Sequence, residues 1–333
     1  MSRMSQDSPV RLAQVAARAG VSRSTASRAL RSDPRISSAT TERVKSSAAE
    51  LNYVPDPVMS RWAGNAWRKR RSSQSGYEIA FVSELLTIDK VACYPDARRR
   101  AQELGYVLRF YSLAKLESWK RLNQIIAAKN IPGVLLDKWL TTAAVELDSS
   151  RLATVCCGVG YELPHHAVRL DTFAQMELMW SQVRGRGRRR IFLWLQERRQ
   201  SLHGRLHYGA ALECARRYAP HVKLAGTEFD WTLPERLIDN ILASKADCVV
   251  SQVSNNAREL HSGLRAKGWA GDWLLLRTIP GIGFSGILPH DDLVGVQSVN
   301  LLDRLIRDFE TGPPANRMQV IISPDWHEEP GAD

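Results

Sequence analysis

The residues with the clearest chemical pattern lie near the amino terminus, within residues 22–31. Basic and hydroxyl side chains share one side of a predicted helix there: Arg23, Ser24, Ser27, Arg28 and Arg31. An arginine guanidinium can donate paired hydrogen bonds to O6 and N7 of guanine, and a serine hydroxyl can donate or accept. The pattern is therefore typical of side chains that read base edges in DNA.

Two short helices are predicted to position these side chains. The first is indicated by apolar residues at the spacing i, i+3, i+4 and i+7, namely Leu12, Val15, Ala16 and Ala19. Gly20 ends this helix, and Ser22 is a favourable N-cap for the second one. In the second helix Ala26, Ala29 and Leu30 face inward. This arrangement indicates a helix-turn-helix, with a generic three-helix bundle bearing a basic face as the alternative.

A third helix is predicted to begin at Ser37 or Ser38, with Val44, Ala48 and Leu51 packing inward. The free backbone amides and the hydroxyl groups at such a helix start suit contact with a phosphate.

The positive charge of the chain is concentrated in the same region. The net charge is +11 in total; residues 1–72 carry 14 basic and 5 acidic residues, or +9, and the remainder carries 32 and 30, or +2. This asymmetry indicates a polyanionic partner for the first fifth of the chain. A basic tail that only improves solubility is the alternative, but it does not explain the helical pattern.

The amino-terminal region resembles the lactose-repressor (LacI/GalR) family over about its first 65 residues. The similarity is carried by VRLAQVAARAGVSRSTASRAL at 10–30, RISSATTERV at 35–44 and AELNYVP at 49–55. The resemblance implies a DNA-binding transcription regulator in which Arg23, Ser24 and Arg28 read bases. It also implies phosphate or flanking contacts by Thr25, Arg35, Ser37, Thr40 and Tyr53. Arg11, Ser22, Ser27 and Arg31 complete the predicted DNA-binding set.

Residues 56–76 are predicted to form a hinge helix that begins at Asp56, followed by a linker with the basic run 68–71. The resemblance implies that two such hinges enter the minor groove and insert an apolar side chain between base steps. Leucine is the usual residue, whereas this chain has Trp62, followed by Ala63. Packing of Trp62 between the hinges or onto the body is the alternative.

From Tyr77 onward, predicted strands alternate with helices. The strands are predicted at 78–82, 106–111, 133–136, 153–157, 190–195, 248–252, 274–277 and 319–322, and helices at 95–104 and 116–128 among others. Such alternation predicts parallel sheets. The expected fold is an all-α helix-turn-helix head (1–55), the hinge (56–76) and an α/β body (77–330) of two doubly wound parallel-sheet subdomains. The resemblance implies a body like the periplasmic sugar-binding proteins, with the chain crossing three times between subdomains, first near 185–189.

A small-molecule cleft is predicted in the body, because ligands of parallel sheets bind beyond the carboxyl ends of the strands. The candidate effector-binding residues are Ser83, Trp139, Trp194, Arg205, Gln252 and Asn255. Tryptophan can stack on a sugar ring, although packing in the core or at a dimer contact is the alternative for each one. The region IPGIGFSG at 279–286 lacks the acid usual in the family, and Arg205 lies four residues before Gly209 instead of three. We therefore expect an atypical ligand or none.

The sequence argues against an enzyme, a metal protein and a membrane protein. It contains no catalytic or nucleotide-binding motif, and the glycines of 281–286 are interpreted as a loop. The neighbouring His165 and His166 would point to opposite faces of a strand, and Cys156 and Cys157 are predicted core residues. No cofactor is predicted. No apolar run approaches the roughly 20 residues of a membrane helix, and the polar first ten residues favour a cytoplasmic location.

The predicted function is that of a transcription repressor which binds a palindromic operator as a homodimer and responds to a sugar or related metabolite. The alternative is a constitutive DNA-binding dimer whose body has lost ligand sensing. An enzyme fused to a DNA-binding head is a third possibility. The sequence leaves open whether the protein is a dimer or a tetramer.

Overall fold

The computed structural model describes residues 12–30, 33, 35–51, 53, 77–137, 140, 145–158, 163–195, 202–229, 234–252 and 256–331. The predictions for Arg11, Arg31, Trp62, Ala63, Trp139 and Asn255, and those for the hinge, lie outside these residues. The chain divides into two compact units, Met1–Val155 with Ser298–Asn316 and Cys156–Gln297 with Arg317–Asp333. The boundaries proposed for the head, hinge and body stay predictions.

Within the described residues, the amino-terminal domain has three helices, α1 (Leu12–Arg18), α2 (Arg23–Ala29) and α3 (Ser38–Glu50). Its core consists mainly of small side chains, which let short helices approach closely: Val15, Ala16, Ala19, Ala26, Ala29, Val44 and Ala48. Gly20 has φ +64°, the left-handed conformation that ends α1 and turns the chain towards α2. The predicted helix-turn-helix is confirmed, and Ser37 is the residue that caps α3.

Twelve strands are found in the described part of the body. They are β1 (Tyr77–Ser83), β2 (Tyr106–Ser112), β3 (Gly133–Asp137), β4 (Ala153–Cys157), β5 (His166–Leu170), β6 (Arg190–Leu195), β7 (Lys223–Phe229), β8 (Cys248–Ser251), β9 (Asp272–Leu275), β10 (Gly286–Leu288), β11 (Gln319–Ile322) and β12 (Asp325–His327).

The helices of the described body alternate with these strands. They are α4 (Tyr94–Glu103), α5 (Leu113–Leu116), α6 (Trp119–Ala128), α7 (Thr172–Gly185), α8 (Leu202–Arg217), α9 (Pro234–Ser244), α10 (Ala257–Ala266) and α11 (Asp291–Asp308), with a short 3-10 helix at Ile88–Lys90.

Two six-stranded sheets form the body, in the orders β11-β5-β4-β3-β1-β2 and β12-β10-β9-β8-β6-β7. The central strands β3, β4 and β8 are buried along their whole length, as expected for sheets covered on both faces. β12 runs antiparallel to β10. The boundary between the two compact units falls within β4, after Val155, and places β5 and β11 in the second unit. Hydrogen-bonded pairing instead places β4, β5 and β11 in the first sheet, and the sheets are defined here by this pairing.

The strand orders confirm the predicted fold class. The chain leaves the first sheet after β5, returns to it at β11 and ends in the second sheet at β12, so it passes between the sheets three times. The first passage includes α7 and reaches the second sheet at Arg190, the start of β6.

The predicted helix at 116–128 is wrong in its first turn. α5 ends at Leu116, and the next residue, Glu117, has a left-handed φ of 64° that cannot continue a right-handed helix. Ser118 then begins α6, and its hydroxyl accepts a hydrogen bond from the backbone N–H of Arg121 at 3.2 Å. A serine placed just before an amphipathic stretch was therefore a cap and not a helix-interior residue.

Strand positions were predicted well in the apolar runs and less well elsewhere. β9 begins two residues before the predicted strand, and Arg277 lies beyond its end in an ion pair with Asp291. Strands β5, β7, β10 and β12 were not predicted. β5 and β7 carry charged residues, and β10 and β12 contain only three residues each.

The cysteines and histidines singled out in the sequence lie in the interior. All five cysteines are buried, as predicted for Cys156 and Cys157, and none of the five forms a disulfide. His166 Nδ1 accepts a hydrogen bond from the backbone N–H of Met318 at 3.0 Å. Within the described residues, no histidine, cysteine, aspartate or glutamate group of metal-binding size occurs. The described helices likewise include none that is long and apolar enough to span a bilayer.

Candidate nucleic-acid interface

The start of α2 is fixed by a group of hydroxyls. Ser22 Oγ accepts a hydrogen bond from the backbone N–H of Thr25 at 3.0 Å, which satisfies one of the free amides of the first turn. The same oxygen lies 2.8 Å from Ser24 Oγ and 2.8 Å from Thr25 Oγ1. The first turn is therefore capped by hydrogen bonds at the point where the predicted base-reading side chains begin.

α2 has one buried face and one exposed face. Ala26 and Ala29 are fully buried, whereas Arg23, Ser24 and Arg28 are exposed. Thr25 and Ser27 lie between the two faces and are partly exposed. Because the buried face holds only small residues, α2 can pack closely on the domain while its polar face remains available to a DNA groove.

The start of α3 presents a second polar group. Ser37 Oγ accepts from the backbone N–H of Thr40 at 3.3 Å and donates to Thr40 Oγ1 at 2.9 Å. Ser37 is exposed, so the neighbouring backbone amides can face an anion. Tyr53 packs partly against the core of the domain, and its backbone N–H donates to Ala48 O at 2.9 Å.

Two arginines contact residues far away in the chain and were not identified in the sequence. Arg43 Nε on α3 donates to the carbonyl oxygen of Ala19, just after α1, at 3.0 Å. Arg18 pairs with Glu50 at 2.6 Å, but both side chains are more than half exposed, so this pair contributes little to stability. No spacing rule predicts such contacts, because they join residues far apart in the chain.

Arg35 is bound to an acid that the sequence reading overlooked. Its Nε and Nη2 donate to the two carboxylate oxygens of Asp33 at 2.9 and 2.7 Å. The Asp33 side chain is 0% exposed, while that of Arg35 is 65% exposed. The hydrogen bonds from Arg35 lower the pKa of Asp33, against the opposing effect of burial. The phosphate contact expected of Arg35 would therefore involve an arginine that is already paired.

Residues 11–56 match the sequence model of the bacterial regulatory proteins of the lacI family. The amino-terminal domain is a lacI-family domain. This match confirms the resemblance found in residues 10–55 and shows a domain of the lacI family at residues 11–56. No curated protein sequence matches the chain.

The fold of the chain is similar to that of several solved transcription regulators. The lac repressor dimer bound to operator and the anti-inducer ONPF is 18% identical, with 96% of this chain and 98% of that one covered and a TM-score of 0.58. The CelR–cellobiose complex is also 18% identical, with 96% of this chain and 98% of that one covered and a TM-score of 0.57. A LacI transcriptional regulator from Lactobacillus brevis is 15% identical, with 75% of this chain and 100% of that one covered and a TM-score of 0.60. At these identities the similarity shows the fold.

A buried polar pair lies at the carboxyl end of the first sheet. Ser83 ends β1 and Asp137 ends β3, and the serine hydroxyl donates to Asp137 Oδ2 at 2.5 Å. Ser83 is 0% exposed and Asp137 is 4% exposed. Ser83 was predicted as an effector residue, whereas Asp137 was missed. Its signal was an acid directly after the buried apolar run 133–136.

The candidate effector residues of the second sheet have differing environments. Trp194 is 3% exposed within a core cluster, which agrees with the packing alternative. Gln252 is partly buried, and its backbone N–H donates to Trp194 O at 3.2 Å. Arg205 is exposed on α8. The structure thus brings Gln252 and Trp194 together at a strand end, while a ligand role for any of the three stays a prediction.

Proposed function

We propose that this chain binds specific DNA sequences by placing α2 in the major groove. The exposed face of α2 carries this proposal: Arg23, Ser24 and Arg28 project from a helix whose first turn is fixed by Ser22 and whose other face is buried. Arg28 is the residue best suited to guanine, since its guanidinium is exposed and can donate two hydrogen bonds. The hydroxyls of the first turn supply shorter-range contacts.

The operator is palindromic and is bound by a homodimer that acts as a repressor. One three-helix domain offers a small contact area, and two-fold symmetry doubles it on two half-sites. The lac repressor, which has the same fold, was solved as a dimer on its operator. The hinge residues Trp62 and Ala63 are proposed to contact the minor groove between the half-sites.

A small hydroxylated molecule controls the body. The Ser83–Asp137 pair supports this proposal, because a carboxylate at the carboxyl end of a parallel strand can accept hydrogen bonds from ligand hydroxyls. CelR, which shares the fold, was solved with the sugar cellobiose. A body without ligand sensing is the second candidate, and the burial of Trp194 favours it by removing one expected stacking surface.

The DNA proposal is tested by selecting random duplexes with the full-length protein near physiological salt. We expect a palindrome to be enriched. The Arg28→Ala variant should lose about 1–3 kcal/mol of DNA-binding free energy and should tolerate other bases at one position per half-site. Lys45→Ala removes one exposed charge from α3 and should leave the selected sequence unchanged. Enrichment of the same palindrome at full affinity by Arg28→Ala would refute base reading by α2.

The ligand proposal is tested by thermal denaturation of the full-length protein with a panel of sugars and polyols. A ligand that raises the melting temperature should do so for the wild type and for Asp148→Asn, an exposed aspartate, but not for Asp137→Asn. No shift with any compound would favour the body that has lost ligand sensing. An equal shift for Asp137→Asn would exclude the Ser83–Asp137 pair as the site.

A further inference from the structure

Asp33 is a buried acid inside a domain that binds a polyanion. Its carboxylate accepts hydrogen bonds from Arg35 backbone N at 3.0 Å, Nε at 2.9 Å and Nη2 at 2.7 Å. Its backbone N–H donates to Arg28 O at 3.1 Å, and its carbonyl accepts from Ile36 N at 2.9 Å. Asp33 therefore connects the end of α2 with the turn that leads to α3.

The pairing leaves part of the Arg35 guanidinium free. Asp33 occupies Nε and one N–H of Nη2, so Nη1 and the other N–H of Nη2 lie on the edge of the plane that Asp33 does not use. The side chain is 65% exposed, although its Cζ lies 5.4 Å from the centroid of the Phe309 ring. A guanidinium anchored in this way loses little further freedom when it binds an anion.

We propose that Asp33 is a positioning residue for DNA binding, which holds the Arg35 guanidinium so that its remaining N–H groups meet a DNA phosphate. The proposal rests on the DNA-binding function proposed above. Charge alone predicts the opposite effect, because removing an acid from a DNA-binding domain should strengthen attraction to the phosphates. The sign of the affinity change therefore separates positioning from simple electrostatics.

The first test compares Asp33→Asn with Glu50→Gln in the full-length protein. Glu50 is a matched control, since it is also an acid paired with an arginine of the same domain. The probe is a fluorescent duplex pool of random sequence, and folded fractions are measured by circular dichroism. We expect Asp33→Asn to weaken binding about two- to tenfold, the cost of ordering one long side chain. Glu50→Gln should bind as tightly as the wild type or more tightly.

A tighter or unchanged affinity of folded Asp33→Asn would overturn the inference. Absence of DNA binding by the wild type would overturn the proposed function and this inference together. Failure of the inference alone is recognised by wild-type binding that Asp33→Asn does not weaken. Arg35→Lys provides the second variant if Asp33→Asn unfolds, because the lysine keeps the charge and leaves Asp33 a partner. It should show the same loss, and wild-type affinity for Arg35→Lys would also overturn the inference.

The double variant Asp33→Asn/Arg35→Ala separates positioning from a purely structural role. Arg35→Ala should make the negative slope of log K against log salt shallower by about 0.9, the contribution of one phosphate contact. Adding Asp33→Asn should then cause no further loss of affinity. A further loss in that background would mean that Asp33 supports the fold and does not act through Arg35.

Discussion

The indole nitrogen of Trp273 donates a hydrogen bond to Ser251 Oγ at 2.9 Å, at the carboxyl end of β8. Ser251 is 0% exposed and Trp273 is 4% exposed, so water cannot replace either partner. The Trp273 ring also lies 6.3 Å from that of Trp194 at an angle of 87°. The hydroxyl thus fixes the orientation of Trp273, and the Trp273 ring packs against Trp194 in the core of the second sheet.

Replacing Ser251 by alanine should lower the free energy of unfolding by about 1–3 kcal/mol, because the buried indole N–H loses its acceptor. Urea unfolding at neutral pH measures this change. Ser150→Ala is the matched control, since Ser150 is exposed and donates to Asp148 at 2.7 Å where water can substitute. Equal losses of unfolding free energy in the two variants would show that the buried hydrogen bond stabilises the protein no more than the exposed one does.

His165 should make the protein less stable in mild acid. Burial, followed by the positive charges of Arg317 and His166, lowers the pKa of His165 from 6.5 to about 4. The unfolded chain therefore binds a proton that the folded chain excludes, and stability is lost as pH falls from about 6.5 towards 4. At about 1.4 kcal/mol per pKa unit, the loss between pH 7.5 and 5 is about 2 kcal/mol.

The measurement is urea unfolding of the wild type and His165→Gln across this pH range. Glutamine does not titrate, so the variant should lack this part of the loss. The control variant His221→Gln changes an exposed histidine and retains His165, so it should show the same loss of stability in acid as the wild type. Identical pH profiles for His165→Gln and the wild type would contradict the prediction.

Two glycines should respond to alanine in opposite directions. A methyl group on Gly286, at the start of β10, would overlap the backbone carbonyl of Leu275 on the neighbouring strand. We expect Gly286→Ala to cost about 1–3 kcal/mol or more, because backbone must move. Gly185 ends α7 and has open space around its α-carbon, so Gly185→Ala should be neutral or stabilise by up to about 1 kcal/mol. Melting temperatures of the two variants check both signs.

The thiols should be unreactive while the protein is folded. All five cysteines are buried, and burial raises the pKa of Cys156 to about 12 and that of Cys214 to about 11. Since the thiolate is the reactive form, labelling by an aromatic disulfide at pH 8 should be slow in buffer and complete in urea. Rapid labelling of even one cysteine in the native protein would contradict the burial of these side chains.

The amino-terminal domain was predicted nearly in full, because its determinants are local. The spacing of Val15, Ala16 and Ala19 and the caps Ser22 and Ser37 act within one or two helical turns. The body was predicted where strands are continuous apolar runs, as in β4 and β6. Three-residue strands such as β10 and β12 have no such signal, since their pairing depends on distant partners.

The polar residues followed the same division. Ser22 was identified because its partner, Thr25, lies three residues away. Asp137 was missed although it directly follows an apolar run, because the fold alone brings its carboxylate to Ser83, 54 residues away. Asp33 is closer to Arg35, but only the fold shows that its carboxylate is removed from solvent. Burial of a charge depends on the assembled structure, and no pattern in the neighbouring residues reports it.

The three passages between the sheets also determine the order in which the protein can be built. The amino-terminal domain is synthesised before the body and its core cluster is formed by its own residues, so it can fold before the body is complete. The first sheet is completed only by β11 and the second only by β12, and these two strands follow all the other described strands in the chain. A chain that stopped before Gln319 would therefore carry a complete amino-terminal domain on a body in which each sheet lacks one edge strand.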